Sequence, residues 1–390
     1  MSTELNESSK MNADFEAMME QAIANCSTLS PAEARQFLDQ GWVVVKGAFP
    51  KEIAAETVAC CWRELEDKGI MQNDVETWKK SPYIRTGCPP NVSIMAMRGD
   101  KEAQAQRLEI RERYGLPPNS PLLQEVAPRA FGAQLDFVGG RDRVVDPEEI
   151  RLPDSLAINL CSDDSGLGED GWRSTRAPGW HKDGWQYQHF LDSPQQGLLI
   201  AYIFSDILPE SGGTQICVDS VGVIARMLAK HPEGIHPDTV QAYIQPHMIK
   251  ECSHFEELTG EAGDMVIMHP YMVHRVSGNP SGRARFAQFP SIKLSQPMQF
   301  ARDNPNEHSL TELVVLKELG VDRFDFATQA DYAKYPREDI TPPPSRTEEE
   351  QQLVNIELYE EQQRMAQTEP EWAQEMWTKR ERPEMSKIDV

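Results

Sequence analysis

The most constraining feature of this sequence is the segment 180–185, WHKDGW. Its histidine and aspartate, His181 and Asp183, are two residues apart, and side chains at that spacing point to the same side of an extended backbone. An imidazole nitrogen and a carboxylate oxygen on one side can bind a single metal ion. One further histidine would complete the two-histidine, one-carboxylate facial triad that holds non-haem Fe(II) and leaves other coordination positions open.

A His-x-Asp pair alone is weak support for a metal site, because the chain contains a second one. Residues 236–238 read HPD, and residues 231–233 read HPE. Both stretches contain proline, which disfavours a regular strand, and we interpret them as solvated loop. His181 differs because tryptophans flank it and because the apolar run 198–204, typical of a strand buried on both faces, follows it.

The third ligand is expected from the segment 265–274, MVIMHPYMVH, which offers two histidines. His269 precedes a proline and is also explained as a core histidine bonded to a backbone carbonyl. His274 ends the apolar segment, just before a polar turn. The residues themselves leave both histidines open as the ligand.

Two arginines follow that turn, in the segment 282–286, GRARF. A 2-oxoglutarate co-substrate needs a fixed, bidentate cation for its distal carboxylate, and an arginine on the adjacent strand supplies one. Arg283 and Arg285 are also explained as an exposed pair after a turn. For Arg283, which is nearer the turn, that explanation is the better one.

Short strands separated by glycine and proline turns dominate the second half of the chain up to about residue 290, a pattern typical of a barrel or jelly roll. We predict strands at 42–45, 156–160, 198–204, 215–218, 265–268 and 285–289, and helices at 13–26, 31–41, 53–65, 122–135 and 221–228. Residues 70–105 are interpreted either as an irregular surface connection or as an active-site lid.

The chain is predicted to have three parts. Residues 1–29 are an N-terminal, partly disordered segment, and residues 30–300 are the main domain. Residues 301–390 are a helical C-terminal extension. This extension either packs on the main domain or forms a homodimer interface with a second copy, and the sequence leaves both open.

Composition limits the partners of the chain. It has 39 Lys and Arg against 62 Asp and Glu, a net charge of −23, which argues against nucleic acid and anionic membranes as partners. No apolar run approaches the roughly 18 residues of a membrane-spanning helix. The polar, acidic N-terminus does not have the pattern of a targeting signal. Seven cysteines without a CxxC pair indicate reduced thiols, so we expect a cytoplasmic protein. The negative charge does not exclude a small-molecule substrate, even an anionic one, because one local arginine can outweigh distant screened charge.

Four segments together resemble the phytanoyl-CoA dioxygenase family of Fe(II)/2-oxoglutarate-dependent oxygenases. They are FLDQGWVVV at 37–45, WHKDG at 180–184, ESGGT at 210–214, and the closing segment from Gly263-Asp264 through His274 to Arg285. In the family, the arginine lies eleven residues after the second histidine. This spacing favours His274 over His269 and Arg285 over Arg283, and the resemblance covers about 30–290.

The resemblance implies a mainly β fold with flanking helices, built on a double-stranded β-helix (jelly-roll, cupin-like) core. It also implies Fe(II) bound by His181, Asp183 and His274, and 2-oxoglutarate and O2 as co-substrates, with Arg285 at the distal carboxylate of 2-oxoglutarate.

The chain departs from the family pattern at two places. Residues 218–220 read VDS where relatives usually have Gly-Ser-His, and Pro178 stands where many relatives carry a glutamine that contacts 2-oxoglutarate. We therefore expect Asn159 and Thr214 to contact the near carboxylate instead.

The predicted reaction is oxidation of a C–H bond of a small organic molecule, such as a secondary metabolite, with release of succinate and CO2. Hydroxylation, desaturation and ring closure all fit. The carboxylate of Asp183 argues against a halogenase. Trp185, Tyr187, Arg85 and Tyr83 are candidates for lining the substrate pocket, although Trp185 and Tyr187 are equally well explained as core aromatics.

Two other functions fit the same residues. One is a cupin-type metal enzyme that uses the three ligands without 2-oxoglutarate. The other is an inactive family member that acts as a binding protein through its C-terminal extension.

Overall fold

The computed structural model describes residues 2–85, 101–162, 177, 179–244, 248–326, 346–368 and 371–383. The helices are α1 Ser2–Asn25, α2 Pro31–Gln40, α3 Lys51–Asp67, α4 Lys101–Arg113, α5 Leu123–Val126, α6 Pro128–Val138, α7 Ser220–Lys230, α8 Pro237–Ile244, α9 Leu310–Leu319, α10 Glu348–Met365 and α11 Glu371–Thr378. The strands are β1 Trp42–Val45, β2 Tyr83–Arg85, β3 Ala157–Asn159, β4 Leu198–Ile203, β5 Thr214–Cys217, β6 Phe255–Glu257, β7 Met265–Met268, β8 Val273–Val276, β9 Arg285–Gln288 and β10 Ser291–Ile292. None of the described helices is long and apolar enough to cross a lipid bilayer.

Local sequence signals set the start and end of α2. The Ser30 hydroxyl accepts the N–H of Glu33, and the Glu33 carboxylate accepts the N–H of Ser30, which forms a capping box. Gly41 ends the helix in the left-handed conformation, with φ +73°. The predicted helix at 31–41 is therefore confirmed, and its end leads directly into β1.

Two antiparallel sheets form the centre of the described structure. The larger sheet has the order β1-β7-β4-β9-β3-β2, with β10 also paired to β4, and the smaller sheet has the order β6-β5-β8. Asn279, just after β8, donates from its side chain to the carbonyl of Asn159 in β3 at 2.9 Å, and so ties the two sheets together. The prediction of short strands with flanking helices is confirmed, and the jelly-roll arrangement stays a prediction.

Two predicted elements differ in the structure. The helix predicted at 122–135 is divided into α5 and α6 at Ala127, because Pro128 lacks an N–H and disfavours helical backbone at the residue before it. Strand β2 lies inside the segment predicted to be irregular. It has only three residues, so its conformation is determined by pairing with β3 and not by a sequence pattern.

The hydrophobic core continues past residue 300, where the sequence predicts the C-terminal extension to begin. Helix α9 buries Leu313, Val315 and Leu316 in the same core as the sheets and packs on α2 and α7. The sequence signal for this helix is the capping box of Ser309 and Glu312.

Helix α10 packs on residues 231–244 of the same chain. The buried carboxylate of Glu361 accepts the backbone N–H of His236 at 3.1 Å, and Arg364 forms an ion pair with Glu233. This contact corrects the prediction that the two histidine–proline stretches are solvated loop. In the stretch 236–238, Pro237 begins α8, since proline is tolerated in the first turn of a helix. In the stretch 231–233, His231 is only 2% exposed.

The buried Glu361 predicts a pH-dependent stability. Burial raises the pKa of this carboxyl to about 7, so the folded chain binds the proton more tightly than the unfolded chain, whose carboxyl has the ordinary value of 4.5. The stabilisation is therefore complete below pH 4.5 and is lost as the pH rises through 7. Relative to the wild type, Glu361→Gln is expected to gain up to about 3 kcal/mol in unfolding free energy across that interval.

Urea unfolding at several pH values between 4.5 and 8 measures this difference. The matched control is Glu360→Gln on the same helix, because the Glu360 side chain is 62% exposed. Its unfolding free energy should follow that of the wild type at every pH. Parallel curves for Glu361→Gln and the wild type would show that Glu361 does not titrate in this way.

Candidate metal centre

Two histidines are brought side by side by backbone pairing. His274 lies in β8, and His181 forms an isolated antiparallel bridge with it. The N–H of His181 donates to the carbonyl of His274 at 3.0 Å, and the N–H of His274 donates to the carbonyl of His181 at 2.9 Å. Side chains of directly paired residues lie on the same face, and the two ring centroids are 4.3 Å apart.

Asp183 completes a three-residue cluster. Its Oδ1 lies 3.4 Å from Nε2 of His181 and 3.9 Å from Nε2 of His274. One ligand atom from each residue lies within 4.8 Å of the other two. The three side chains predicted as ligands therefore converge in the structure.

The other ring nitrogens set the tautomer of both histidines. Nδ1 of His181 is 2.8 Å from the carbonyl oxygen of Gly179, and Nδ1 of His274 is 3.0 Å from that of Met272. A carbonyl oxygen only accepts, so each Nδ1 carries a proton, and each Nε2 is the ring nitrogen that faces Asp183. Metal-bound histidines in proteins have this arrangement, in which a backbone acceptor orients the ring. The donor set therefore fits a divalent metal ion.

The electrostatics of the cluster favour the ligand forms of His274 and Asp183. Burial opposes ionisation of Asp183, but His274 and His181 outweigh it and hold the pKa of this carboxyl below its ordinary value. Burial and the neighbouring His181 lower the pKa of His274 to about 4. At neutral pH the cluster thus contains a carboxylate and a neutral His274, as metal binding requires.

His269, the competing candidate, lies in the core away from this cluster. It is fully buried, its Nδ1 accepts the N–H of Tyr271 at 3.2 Å, and its Nε2 lies 3.3 Å from the carbonyl oxygen of Thr311. Both ring nitrogens therefore have backbone partners. Burial lowers its pKa to about 3, so this ring is a neutral structural histidine.

Arg285 is buried at the start of β9, and Arg283 is exposed. Arg285 is 1% exposed. Its Nε donates to the carbonyl of Gly212 at 2.9 Å, and its guanidinium carbon lies 5.9 Å from the ring centroid of Tyr83. The strand pairing places Tyr83, Asn159 and Arg285 in one row across β2, β3 and β9. The structure therefore provides a buried cation beside Gly212, the first glycine of the ESGGT segment at 210–214, which we call the Gly-Gly turn.

That turn connects the arginine to the strand next to the metal cluster. Gly212 lies just before β5, in which Ile216 pairs with His274 and Thr214 pairs with Val276. Residues two apart in a strand share a face, so Thr214 projects from the same face as His274. Its contact with 2-oxoglutarate stays a prediction.

Asn159 has protein partners for its side-chain amide. Its Nδ2 donates to the carbonyl of Ser277 at 2.9 Å, and its Oδ1 accepts the hydroxyl of Ser162 at 2.8 Å. The residue therefore joins β3 to the end of β8. Its predicted contact with 2-oxoglutarate requires one of these hydrogen bonds to be exchanged.

The backbone at Gly212 predicts a specific sensitivity to substitution. It has φ +81°, and an added Cβ would lie 2.7 Å from Nδ2 of Asn159, whereas Gly282, with φ +70°, has open space around it. Gly212→Ala is expected to cost about 2–4 kcal/mol, from backbone strain and overpacking, and Gly282→Ala about 1 kcal/mol. Thermal or urea unfolding measures both, and equal losses would show that the packing around Gly212 is not tight.

The predicted substrate residues have different environments. Tyr187 is 1% exposed, donates its hydroxyl to Gln196 and stacks on His189, so it is a core aromatic. Trp185 is 38% exposed, and Tyr83 is 37% exposed at the edge of the row that contains Arg285. Arg85 lies in β2, with its backbone paired to Ala157. Pro178 lies outside the described residues.

A buried lysine inside the ligand segment was not foreseen from the sequence. Lys182 is 2% exposed, and its Nζ donates to the carbonyl of Asp183 at 3.0 Å and lies near the rings of Tyr187 and Tyr271. The side chain of Gln241 in α8 donates to the Lys182 carbonyl. A lysine at this position predicts an exposed side chain, so only the tertiary structure reveals that it helps to hold the segment.

Comparisons with known proteins give weak similarities. No protein-family model matches the chain, and no curated protein sequence matches it. Among solved structures, the chain is similar to the non-heme alpha ketoglutarate dependent carbocyclase SnoK from nogalamycin biosynthesis, with 16% identity over 68% of this chain and 84% of that chain and a TM-score of 0.36.

Two further similar structures were found. EctD from S. alaskensis with bound Fe has 14% identity over 68% of this chain and 77% of that chain, with a TM-score of 0.33. HygX from Streptomyces hygroscopicus with nickel and 2-oxoglutarate bound has 11% identity over 67% of this chain and 86% of that chain, with a TM-score of 0.35. At these values the comparisons assign no function to the chain.

Proposed function

We propose that the chain is a non-haem Fe(II)/2-oxoglutarate-dependent dioxygenase of the phytanoyl-CoA dioxygenase type. In this proposal the two antiparallel sheets are the halves of a double-stranded β-helix. The observation that carries the proposal is the convergence of Nε2 of His181, Nε2 of His274 and Oδ1 of Asp183, with both Nδ1 atoms bound to backbone carbonyls. Two imidazoles and one carboxylate are the donor set of non-haem Fe(II) oxygenases.

The three ligands would hold Fe(II) through one side of its coordination sphere and leave the other side to co-substrate and O2. When bound, iron and 2-oxoglutarate supply the oxidising chemistry, in which 2-oxoglutarate and O2 yield succinate and CO2 as a substrate C–H bond is oxidised. The hydrogen bonds to Gly179 and Met272 keep both rings in place, and the pairing of His181 with His274 limits their separation.

Arg285 would bind the distal carboxylate of 2-oxoglutarate. A buried guanidinium is stabilised by an anion with matching planar geometry, and its environment of backbone carbonyls and aromatic rings excludes water. Thr214 shares the face of His274 and lies two residues after Gly212, whose carbonyl accepts from Arg285, and it would contact the near carboxylate. Asn159 would contribute by exchanging one hydrogen bond.

The substrate is proposed to be a small organic molecule such as a secondary metabolite. Trp185, exposed two residues after Asp183, and Tyr83, next to Arg285, are the aromatic side chains that would meet it. Tyr187 would act through packing, because its ring is enclosed by Lys182 and His189.

Succinate formation tests this proposal. Purified protein with Fe(II), 2-oxoglutarate, ascorbate and O2 is expected to form succinate, and the rate should rise when the correct substrate is added from a library of small molecules. Omission of Fe(II) and replacement of 2-oxoglutarate by 2-oxoadipate are the controls. If the protein binds iron but forms no succinate with any library member, the 2-oxoglutarate part of the proposal is wrong.

A further inference from the structure

We propose that Cys217, Asp219 and Cys252 form a second metal site, which takes a thiophilic divalent ion such as Zn²⁺. The two sulfur atoms and one carboxylate oxygen all lie within 4.8 Å of one another. These residues come from three elements, since Cys217 ends β5, Asp219 precedes α7 and Cys252 follows the turn at 248–251. The cluster is separate from the His181, Asp183 and His274 centre and shares no residue with it.

The environment of the cluster is suited to a fixed site. Cys217 and Cys252 are buried, at 0% and 6% exposure, and no disulfide joins them. Burial limits the rotamers of both thiols and excludes competing ligands. The Sγ of Cys217 donates to Oδ1 of Asp219 at 3.3 Å, so a carboxylate oxygen already lies beside the sulfur.

The carboxylate of Asp219 is held in place by the opposite loop. Its Oδ2 accepts the N–H of Ser253 at 2.7 Å and the N–H of His254 at 3.3 Å. The side chain makes no capping hydrogen bond to α7, although it occupies the N-cap position of that helix. Asp219 is therefore oriented toward the loop and the thiols, with Oδ1 as the oxygen nearest the sulfur atoms.

The donor set determines the class of metal. Two thiolates with one carboxylate suit Zn²⁺ and other thiophilic ions, whereas the imidazole–carboxylate centre contains no sulfur. The hydrogen bond with Cys252, together with burial, raises the pKa of Cys217 above its ordinary value. Zn²⁺ would bind by displacing the thiol protons to solvent, forming two Zn–S bonds and a Zn–O bond.

A cavity lies beside the carboxylate of the cluster. A cavity of about 200 Å³ is lined by Asp219, Val221 and His254, and it can supply a water ligand. The site would also support the proposed iron centre, because Cys217 pairs with Val273, the residue before His274. A metal here would join β5, α7 and the loop at 252–254, so its main effect is expected to be structural.

Cobalt titration of the full-length protein tests the proposal. After chelation and reduction, Co²⁺ is expected to produce a thiolate-to-cobalt charge-transfer band in the near ultraviolet, which nitrogen and oxygen ligands do not give. The band should persist in the double variant His181→Ala/His274→Ala and disappear in Cys217→Ser and Cys252→Ser. Cys60→Ser, which removes another buried thiol, is the matched control and should keep the band.

Zn²⁺ affinity and thermal stability test the proposal even where a cysteine-to-serine variant does not fold. Asp219→Asn is expected to weaken Zn²⁺ binding at least 10-fold, and Zn²⁺ should raise the Tm of the wild type but not of Cys217→Ser. No thiolate band in fully reduced wild-type protein would overturn the proposal, as would a band that survives both serine variants. A Cys217–Cys252 disulfide in the isolated protein, with no Co²⁺ band after its reduction, would also overturn it.

Discussion

His274→Ala is expected to weaken Fe(II) binding by more than about 100-fold and to abolish succinate formation. Loss of a residue that only supports a metal ligand costs up to about 100-fold in metal affinity, so loss of a ligand itself should cost more. The substitution removes one of three ligands and also the ring that lies 4.3 Å from His181. Because the backbone bridge between the two residues does not depend on the side chain, the remaining ligand segment should stay in place.

His269→Asn is the matched control for this substitution. His269 lies in the same short segment, but its ring nitrogens contact the backbone of Tyr271 and Thr311. The variant is expected to keep its iron affinity. It should lose about 1–3 kcal/mol of unfolding free energy, because the shorter side chain leaves a buried backbone group without its hydrogen-bond partner. Anaerobic Fe(II) titration of both variants measures the difference, and the reverse pattern would identify His269 as the ligand.

Arg285→Ala is expected to raise the KM for 2-oxoglutarate by about 10²- to 4 × 10³-fold, since breaking a buried ion pair costs about 3–5 kcal/mol. Arg285→Lys keeps the charge but loses the bidentate geometry, so an intermediate increase is expected. The iron affinity of both variants should remain close to that of the wild type, because Arg285 is not a ligand.

Arg283→Ala controls for the loss of positive charge near the site. Arg283 is exposed two residues earlier, and its removal should leave the KM for 2-oxoglutarate unchanged. Steady-state succinate formation at varied 2-oxoglutarate concentration measures all three variants.

The two alternative functions predict other results for the wild type. If the chain is a cupin-type enzyme that does not use 2-oxoglutarate, no 2-oxoglutarate-dependent turnover is expected. If it is an inactive binding protein, no succinate is expected at all.

The candidate metal centre was largely predictable from the sequence because two of its three proposed ligands are local. His181 and Asp183 share a short segment, so their spacing alone indicates a chelate. The third ligand was ambiguous, because His269 and His274 are both histidines at or near the end of an apolar segment. In the structure, backbone pairing places His274 beside His181, and pairing between distant segments has no local sequence signal.

Other parts of the fold depend on tertiary contacts that a sequence pattern does not contain. The sequence leaves open whether the C-terminal extension packs on the main domain, because the apolar residues of α9 do not indicate which surface covers them. The Cys217 and Cys252 thiols lie far apart in the sequence without a CxxC pair and meet only when the turn at 248–251 brings the chain back to the end of β5. Likewise, the hydrogen bonds by which Asn159 joins strands have no sequence signal, and its contact with 2-oxoglutarate stays a prediction.

The most direct test of the proposed Fe(II)/2-oxoglutarate centre is anaerobic absorption spectroscopy of the wild-type protein with Fe(II) and 2-oxoglutarate. Chelation of 2-oxoglutarate to iron held by His181, Asp183 and His274 predicts a weak visible charge-transfer band that requires both components and saturates at one iron per chain. The band should be lost in His274→Ala and retained in His269→Asn. Stoichiometric iron binding without this band in the wild type would contradict the proposal that 2-oxoglutarate binds to iron at this centre.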